Sequence, residues 1–284
     1  MERRILNFAV IWTIFSLVMT LTACVKEADI PLPQVDAKLV LHCFITDTTD
    51  TIRARVTWSK PVFASTPSTS FAFENATDLS IQISDGTTTK SLIYDEWNQD
   101  YKLAASEIGL STGIPYTLVA THPNGQQIRA IASIPSSPIT ILNDELQIDS
   151  LVNQMGNTQM QYTFKTTLAG LANETLYYRL LYDAVIDTSE NWEYSYRIGE
   201  GFAESDGTID PVYHEQTVTY FGDIEGPQAW SLFVVLGDEA YYRYHRSISS
   251  IGFEGPFEEP SLVYSNVEGG LGIFGGCRSI ALSH

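Results

Sequence analysis

Leu79-Ser80-Ile81-Gln82-Ile83-Ser84-Asp85-Gly86 alternates apolar and polar residues and then stops on an Asp-Gly pair. A period of two puts Leu79, Ile81 and Ile83 on one face of a β-strand and the polar residues on the other. Asp tolerates and Gly accepts positive φ, so the pair turns the chain back. The same grammar repeats on both sides. Strand-like runs cover Lys38–Thr46, Thr51–Trp58, Asp78–Ser84, Lys90–Tyr94, Asp100–Leu103, Tyr116–His122 and Gln127–Ile134, with a second turn at Pro123-Asn124-Gly125. Short strands at this spacing are the signature of an antiparallel, Ig-like β-sandwich over residues 38–135. Lys60–Asn75, with two prolines among Ser and Phe, reads as a long loop or an irregular edge.

Pro135-Ser136-Ser137-Pro138 reads as a domain boundary, because prolines favour an extended connection. The pattern then restarts over residues 139–284, a second, mainly antiparallel β-rich domain. Its strand-like runs are Ile139–Leu151, Met160–Thr167, Thr175–Ile186, His214–Phe221, Ala229–Leu236 and Ile273–Ala281. Asp187–Asp210 is acidic, contains glycine and lacks a clear period, which suggests a surface excursion or a long hairpin tip. Within it Trp192, Tyr194 and Tyr196 alternate, forming either the inner face of a hairpin or a presented interface patch. One helix is expected near 238–249. Asp238 is a good N-cap, Tyr241, Tyr244, His245 and Ile248 form a single stripe, and Arg243 and Arg246 suit the C-terminal half. The glycines at 269, 270 and 272 permit a turn and close backbone approach, with Leu271, Ile273 and Phe274 anchoring the last strand.

The first residues have a different character. Met1-Glu2-Arg3-Arg4 is a short basic flank, followed by an apolar run from Ile5 to Leu21. That is the pattern of a secretory signal rather than of a spanning helix. It ends in Leu21-Thr22-Ala23-Cys24, which resembles a lipobox, so residues 1–23 are expected to be cleaved and Cys24 to carry acyl chains of the palmitate type. Residues 24–37, with Pro31 and Pro33, form a tether. Two or more acyl chains hold a protein durably in a bilayer. The expected location is therefore the outer membrane, lipid-anchored. Val25-Lys26-Glu27-Ala28-Asp29 resembles the Lys-plus-acidic signal that sends lipoproteins of Bacteroidota to the cell surface, which favours surface exposure over the periplasmic side.

Cleavage before Cys24 would leave 14 basic and 33 acidic residues, a net charge near −19. Such a chain does not bind nucleic acid or anionic lipid by charge. The 12% aromatic content, with 15 Tyr, favours strands. With Cys24 acylated, Cys43 and Cys277 remain. They could pair in an oxidising envelope, but each sits in an alternating strand-like run, and buried free thiols are as ordinary.

Several stretches together resemble one family. Cys24-Val-Lys-Glu27, Ala37-Lys-Leu-Val-Leu-His-Cys-Phe-Ile45 and Leu79–Gly86 are similar to Bacteroidota outer-membrane lipoproteins grouped as domain of unknown function 4249. The closing Glu259-Pro-Ser-Leu-Val-Tyr-Ser-Asn266 and Gly269-Gly-Leu-Gly-Ile-Phe-Gly-Gly276 resemble its C-terminal signature, after a Tyr-rich helix. Cys277 departs from the pattern, which has a larger residue there. The resemblance implies a lipoprotein often encoded beside TonB-dependent receptors and supplies no catalytic residues.

No enzymatic motif assembles. His42, His122, His214, His245 and His284 show no metal-ligand spacing, and no Gly-x-Ser-x-Gly elbow occurs. Asp47/Asp50, Asp183/Asp187 and Glu254/Glu258/Glu259 could hold calcium with backbone carbonyls, although solvated acidic loops are the simpler reading. No other cofactor is expected. The favoured function is a non-catalytic binding or scaffolding subunit of an outer-membrane transport or assembly complex, partnered by a TonB-dependent β-barrel. The alternative is a surface hydrolase or carbohydrate-processing enzyme with its site in Asp187–Asp210. If the lipobox reading is right, Cys24→Ala leaves the precursor uncleaved and abolishes incorporation of labelled fatty acid; label in the variant overturns it.

Overall fold

The computed structural model describes residues 36–60, 74–152, 156, 158–188, 192–221, 229–251 and 262–284, without the side chains of 185–196 and 220–221. Cys24, the signal segment, most of the tether and Glu254/Glu258/Glu259 lie outside the described residues. Those from Ala37 onward belong to one compact unit.

The chain is all-β with a single α-helix among the described residues, as its patterning predicts. The first strands are β1 (Leu39–Thr46), β2 (Thr51–Trp58), a short β3 (Glu74–Asn75), β4 (Ser80–Ser84) and β5 (Thr89–Asp95). They continue with β6 (Asp100–Ala104), β7 (Pro115–Thr121) and β8 (Gln127–Ser133). After Pro135–Pro138 come β9 (Ile141–Val152), β10 (Thr158–Leu168), β11 (Tyr177–Thr188), β12 (Trp192–Glu204), β13 (Val212–Phe221) and β14 (Ala229–Gly237). Helix α1 (Glu239–Ser249) and the final strand β15 (Leu271–Ser283) complete the order.

Twelve strands form one sheet, eleven of them in the path β12-β11-β14-β15-β1-β2-β6-β5-β4-β7-β8 and β3 off it on β2. The path folds over at β5, whose first residues pair with β4 and whose last pair with β6. Inward side chains of β1, β2 and β6 therefore meet those of β4, β7 and β8 in one apolar cluster. The turn after β4 forms as its residues dictate: Asp85 Oδ1 accepts the amides of Thr87 and Thr88, and Gly86 sits at φ +90°. A separate sheet, β13-β10-β9, covers β12, β11 and β14, burying Phe164, Tyr178, Tyr182 and Leu232 in a second cluster.

Residues 192–204, read as part of a surface excursion or a long hairpin tip, form the second arm of a long hairpin, pairing with β11 with a register shift at Tyr182/Asp183. Leu271, expected in the core, is 40% exposed, while Ile273 and Phe274 are fully buried.

Strand β15 joins the two clusters. It pairs antiparallel with β14 and parallel with β1, so the last strand of the chain lies beside the first. Phe274 enters the first cluster opposite Cys43, whereas Cys277 lies in a small cluster with Val235, Tyr241, Phe44 and Leu181 on the helix side. The two thiols are free and buried in different clusters. The close fit of β15 explains its glycines. Gly272 is at φ +105°, and a Cβ there would lie 1.9 Å from the carbonyl oxygen of Leu41. Asn266 then fixes the strand, accepting from the amide of Phe274 at 3.0 Å and donating to the carbonyls of Phe274 and Ile131. Phe274→Ala should therefore lower the free energy of unfolding by about 3–5 kcal/mol, read from a urea transition; an unchanged midpoint would place the ring outside the core.

Candidate functional site

Helix α1 packs on the outer face of the β11-β14-β15-β1 region, against β15, β11 and β14 and over Phe44 of β1. Asp238 sets the start of the helix. Its Oδ1 accepts the amide of Tyr241 at 2.8 Å, satisfying an otherwise orphaned donor of the first turn. Its Oδ2 accepts two further amides at 3.0 Å, from Ser133 at the end of β8 and Gly276 in β15. Its own amide donates to the carbonyl of Gly276 at 2.8 Å. A Cβ on Gly276 would lie 2.2 Å from the oxygen of Ser133, so only glycine lets β8 and β15 approach within reach of one carboxylate.

Beneath the helix, Phe44 of β1 is ringed by aromatic groups. His42 meets it edge-on at 4.9 Å, His245 stacks on it at 5.3 Å, and Tyr241 crosses it at 5.3 Å. Burial, together with nearby Arg179 and His42, pushes His245 down to about 3, so the ring is neutral at physiological pH. Arg179 donates to Glu200 at 2.7 Å and to the Tyr241 hydroxyl at 3.2 Å, tying β11, β12 and α1 together. In this layer Arg179 and the Tyr241 hydroxyl are joined by a hydrogen bond, and His42 and His245 pack by ring contacts.

Along the flank of the helix runs a groove of about 420 Å³. Tyr177 of β11 and Tyr242 of α1 form its floor, with ring centroids 5.1 Å apart and Phe202 supporting Tyr242 at 5.7 Å. The walls carry Arg243, Arg246, Glu204 and Tyr264. Arg246 lies 5.8 Å over the ring of Tyr242 and donates to its hydroxyl at 3.3 Å. Arg243 lies 5.8 Å over Tyr264 and is paired with Glu239 at 2.6 Å. The hydroxyl of Ser247 is occupied, donating to the carbonyl of Tyr244 and accepting the amide of Tyr264. The groove thus brings two guanidinium groups, each over a tyrosine ring, to one flank of the helix.

The residues singled out from sequence distribute differently. Trp192, Tyr194 and Tyr196 alternate along β12, opposite Thr188, Ile186 and Ala184 of β11; their side chains lie outside the described residues. Asp47 is paired with Arg278 and Asp183 with Arg197, so two of the acidic residues considered for calcium face guanidinium groups. Among the described residues no three His, Cys, Asp or Glu side chains are placed to hold a metal ion. Sequence reasoning missed Tyr177, Glu204, Tyr242 and Tyr264. Tyr242 falls off the helical stripe yet is only 4% exposed, because α1 contacts the end of β11 as well as the sheet below.

Burial raises Asp238 to about 6, against the three amides that hold it down. A carboxyl that is more basic folded than unfolded favours the folded state when protonated. Its contribution is complete below the unfolded value of 3.8 and is lost as pH rises through about 6. The difference in unfolding free energy between the native chain and Asp238→Asn should therefore shift against the native chain by on the order of 3 kcal/mol from about pH 4 to about pH 7. Parallel pH profiles for the two proteins would contradict this assignment. Asp238→Ala should cost about 2–4 kcal/mol, since it leaves three buried amides without an acceptor.

No curated protein matches the chain. A family model does, over residues 25–280, which takes in every described element except the last few residues of β15. The chain belongs to the family described as domain of unknown function (DUF4249).

Proposed function

We propose that this protein is a lipoprotein of the outer membrane, acylated at Cys24 and facing the cell exterior, that serves as a non-catalytic binding or scaffolding subunit of a transport or assembly complex. Its expected partner is a TonB-dependent β-barrel. The observation that carries the binding reading is the groove beside α1. Tyr and Arg are the residue types that dominate recognition surfaces, and here they are presented by a helix clamped to a sheet. The hydroxyl of Ser247 within it is committed to backbone bonds rather than held next to a base. A second feature supports docking to protein: Trp97, in the turn joining β5 to β6, is 92% exposed, with Ile93 at 72% nearby in sequence. An exposed tryptophan on a rigid hairpin suits a buried anchor in a complex.

The test is a pull-down in mild detergent of the tagged, lipidated protein at native expression, read by mass spectrometry. An outer-membrane β-barrel should co-purify, and Trp97→Ala should reduce its recovery while leaving the thermal midpoint unchanged. Recovery of the bait alone, with a Trp192→Ala/Tyr194→Ala/Tyr196→Ala variant altering neither fold nor phenotype, would overturn the scaffolding reading.

A further inference from the structure

Two charged groups in the groove have no counter-ion among the described residues. Arg246 has the Tyr242 hydroxyl as its polar partner and forms no ion pair among the described residues. Glu204, the last residue of β12, lines the same groove and likewise forms none, either with Arg246 or with Arg243. Arg243 differs, being neutralised by Glu239. The space therefore offers a guanidinium and a carboxylate that form no ion pair among the described residues and, with them, the half-buried ring of Tyr177.

We propose that this groove binds short peptides with free termini, the peptide carboxylate on Arg246, its ammonium on Glu204, and an apolar side chain against the half-buried ring of Tyr177. The assignment rests on the binding reading above and names its ligand class. Three physical points lead to it. A guanidinium held over a ring keeps its outer fork directed for a carboxylate, so little ordering is needed on binding. A volume of about 420 Å³ falls within the range of small-ligand sites, and the two open charges call for a ligand with opposite charges at separate positions. The chain also carries a formal charge of −18, which repels anions at long range and attracts cations everywhere. A zwitterion has no net charge to be repelled or attracted, so only local charges such as Arg246 and Glu204 select it. Free amino acids share this chemistry, and the measurement below separates them from peptides.

The full-length lipidated protein in detergent micelles would be titrated calorimetrically with Ala-X-Ala tripeptides, X being Phe, Tyr, Leu, Lys or Glu. Their N-acetylated and C-amidated forms and free phenylalanine complete the set. Peptides with apolar X should bind, and each cap should weaken them about tenfold, the effect expected of one charge-assisted contact. Arg246→Gln should erase the preference for a free C-terminus and Glu204→Gln the preference for a free N-terminus, both with unchanged thermal midpoints. Equal binding of capped and free peptides, free phenylalanine binding as tightly as the tripeptides, or no binding by any of them would overturn the assignment. If the β-barrel still co-purifies with Arg246→Gln and Glu204→Gln, a failure of the peptide assignment leaves the scaffolding reading standing. Loss of the barrel from the native chain alone would do the reverse.

Discussion

The carboxylate of Asp238 is the point at which three parts of the chain are held together. One side chain caps α1 through Oδ1 and holds the ends of β8 and the middle of β15 through Oδ2. Burying a carboxylate is unfavourable unless hydrogen bonds replace its water, and here three amides do so. The geometry permits this because Gly276 lets β15 run against β8 at backbone distance. A larger residue at 276 would separate the strands, leave Asp238 one acceptor too many, and release the helix from the sheet. The orientation of Tyr242, Arg243 and Arg246 follows from that clamp, so the shape of the groove depends on a contact that lies outside it.

Charge follows a related logic. Many of the chain's few cations lie paired with acids: Arg53 with Asp100, Lys102 with Asp95, Arg179 with Glu200, Arg197 with Asp183 and Arg278 with Asp47. The pairs range from partly buried, as at Arg179–Glu200, to largely solvent-facing, and the latter contribute little to stability. Their effect is to cancel positive charge locally on a surface that is acidic overall. Against that background Arg246, which forms no ion pair among the described residues, also lines the groove beside α1.

How far the fold could be read depended on where each strand finds its apolar partners. Strands β1, β2, β4, β7 and β8 bury their own alternating side chains, so Leu39, Leu41, Cys43 and Ile45 announce β1 directly. Strand β12 does not. At Gly199 and Gly201 its inner face carries no side chain, and the space is taken by Gln216 and His214 from β13 in the facing sheet; a Cβ on Gly201 would lie 1.9 Å from the His214 ring. The apolar period is missing from the sequence because another strand supplies the filling. The groove was illegible for a similar reason. Its floor combines Tyr177 with Tyr242, residues 65 positions apart by their numbering, and Tyr242 lies beside the helical stripe rather than on it. Arg243 and Arg246 were visible only as complements to the helix dipole, because their ring partners are set by tertiary contact.

The parallel pairing of β1 with β15 gives the clamp a further consequence. Strand β1 can form its hairpin with β2 early, but its other edge has no partner until the last residues of the chain arrive. Pairings of such long sequence separation form late, after most of the loop-closure entropy has been lost. Phe274 fills the first core only at that stage, and Gly276 meets Asp238 in the same event, since both belong to one strand. Completion of the first core and fixing of α1 therefore depend on the same strand. A chain that has not docked β15 lacks both the core ring and the contact that orients the groove.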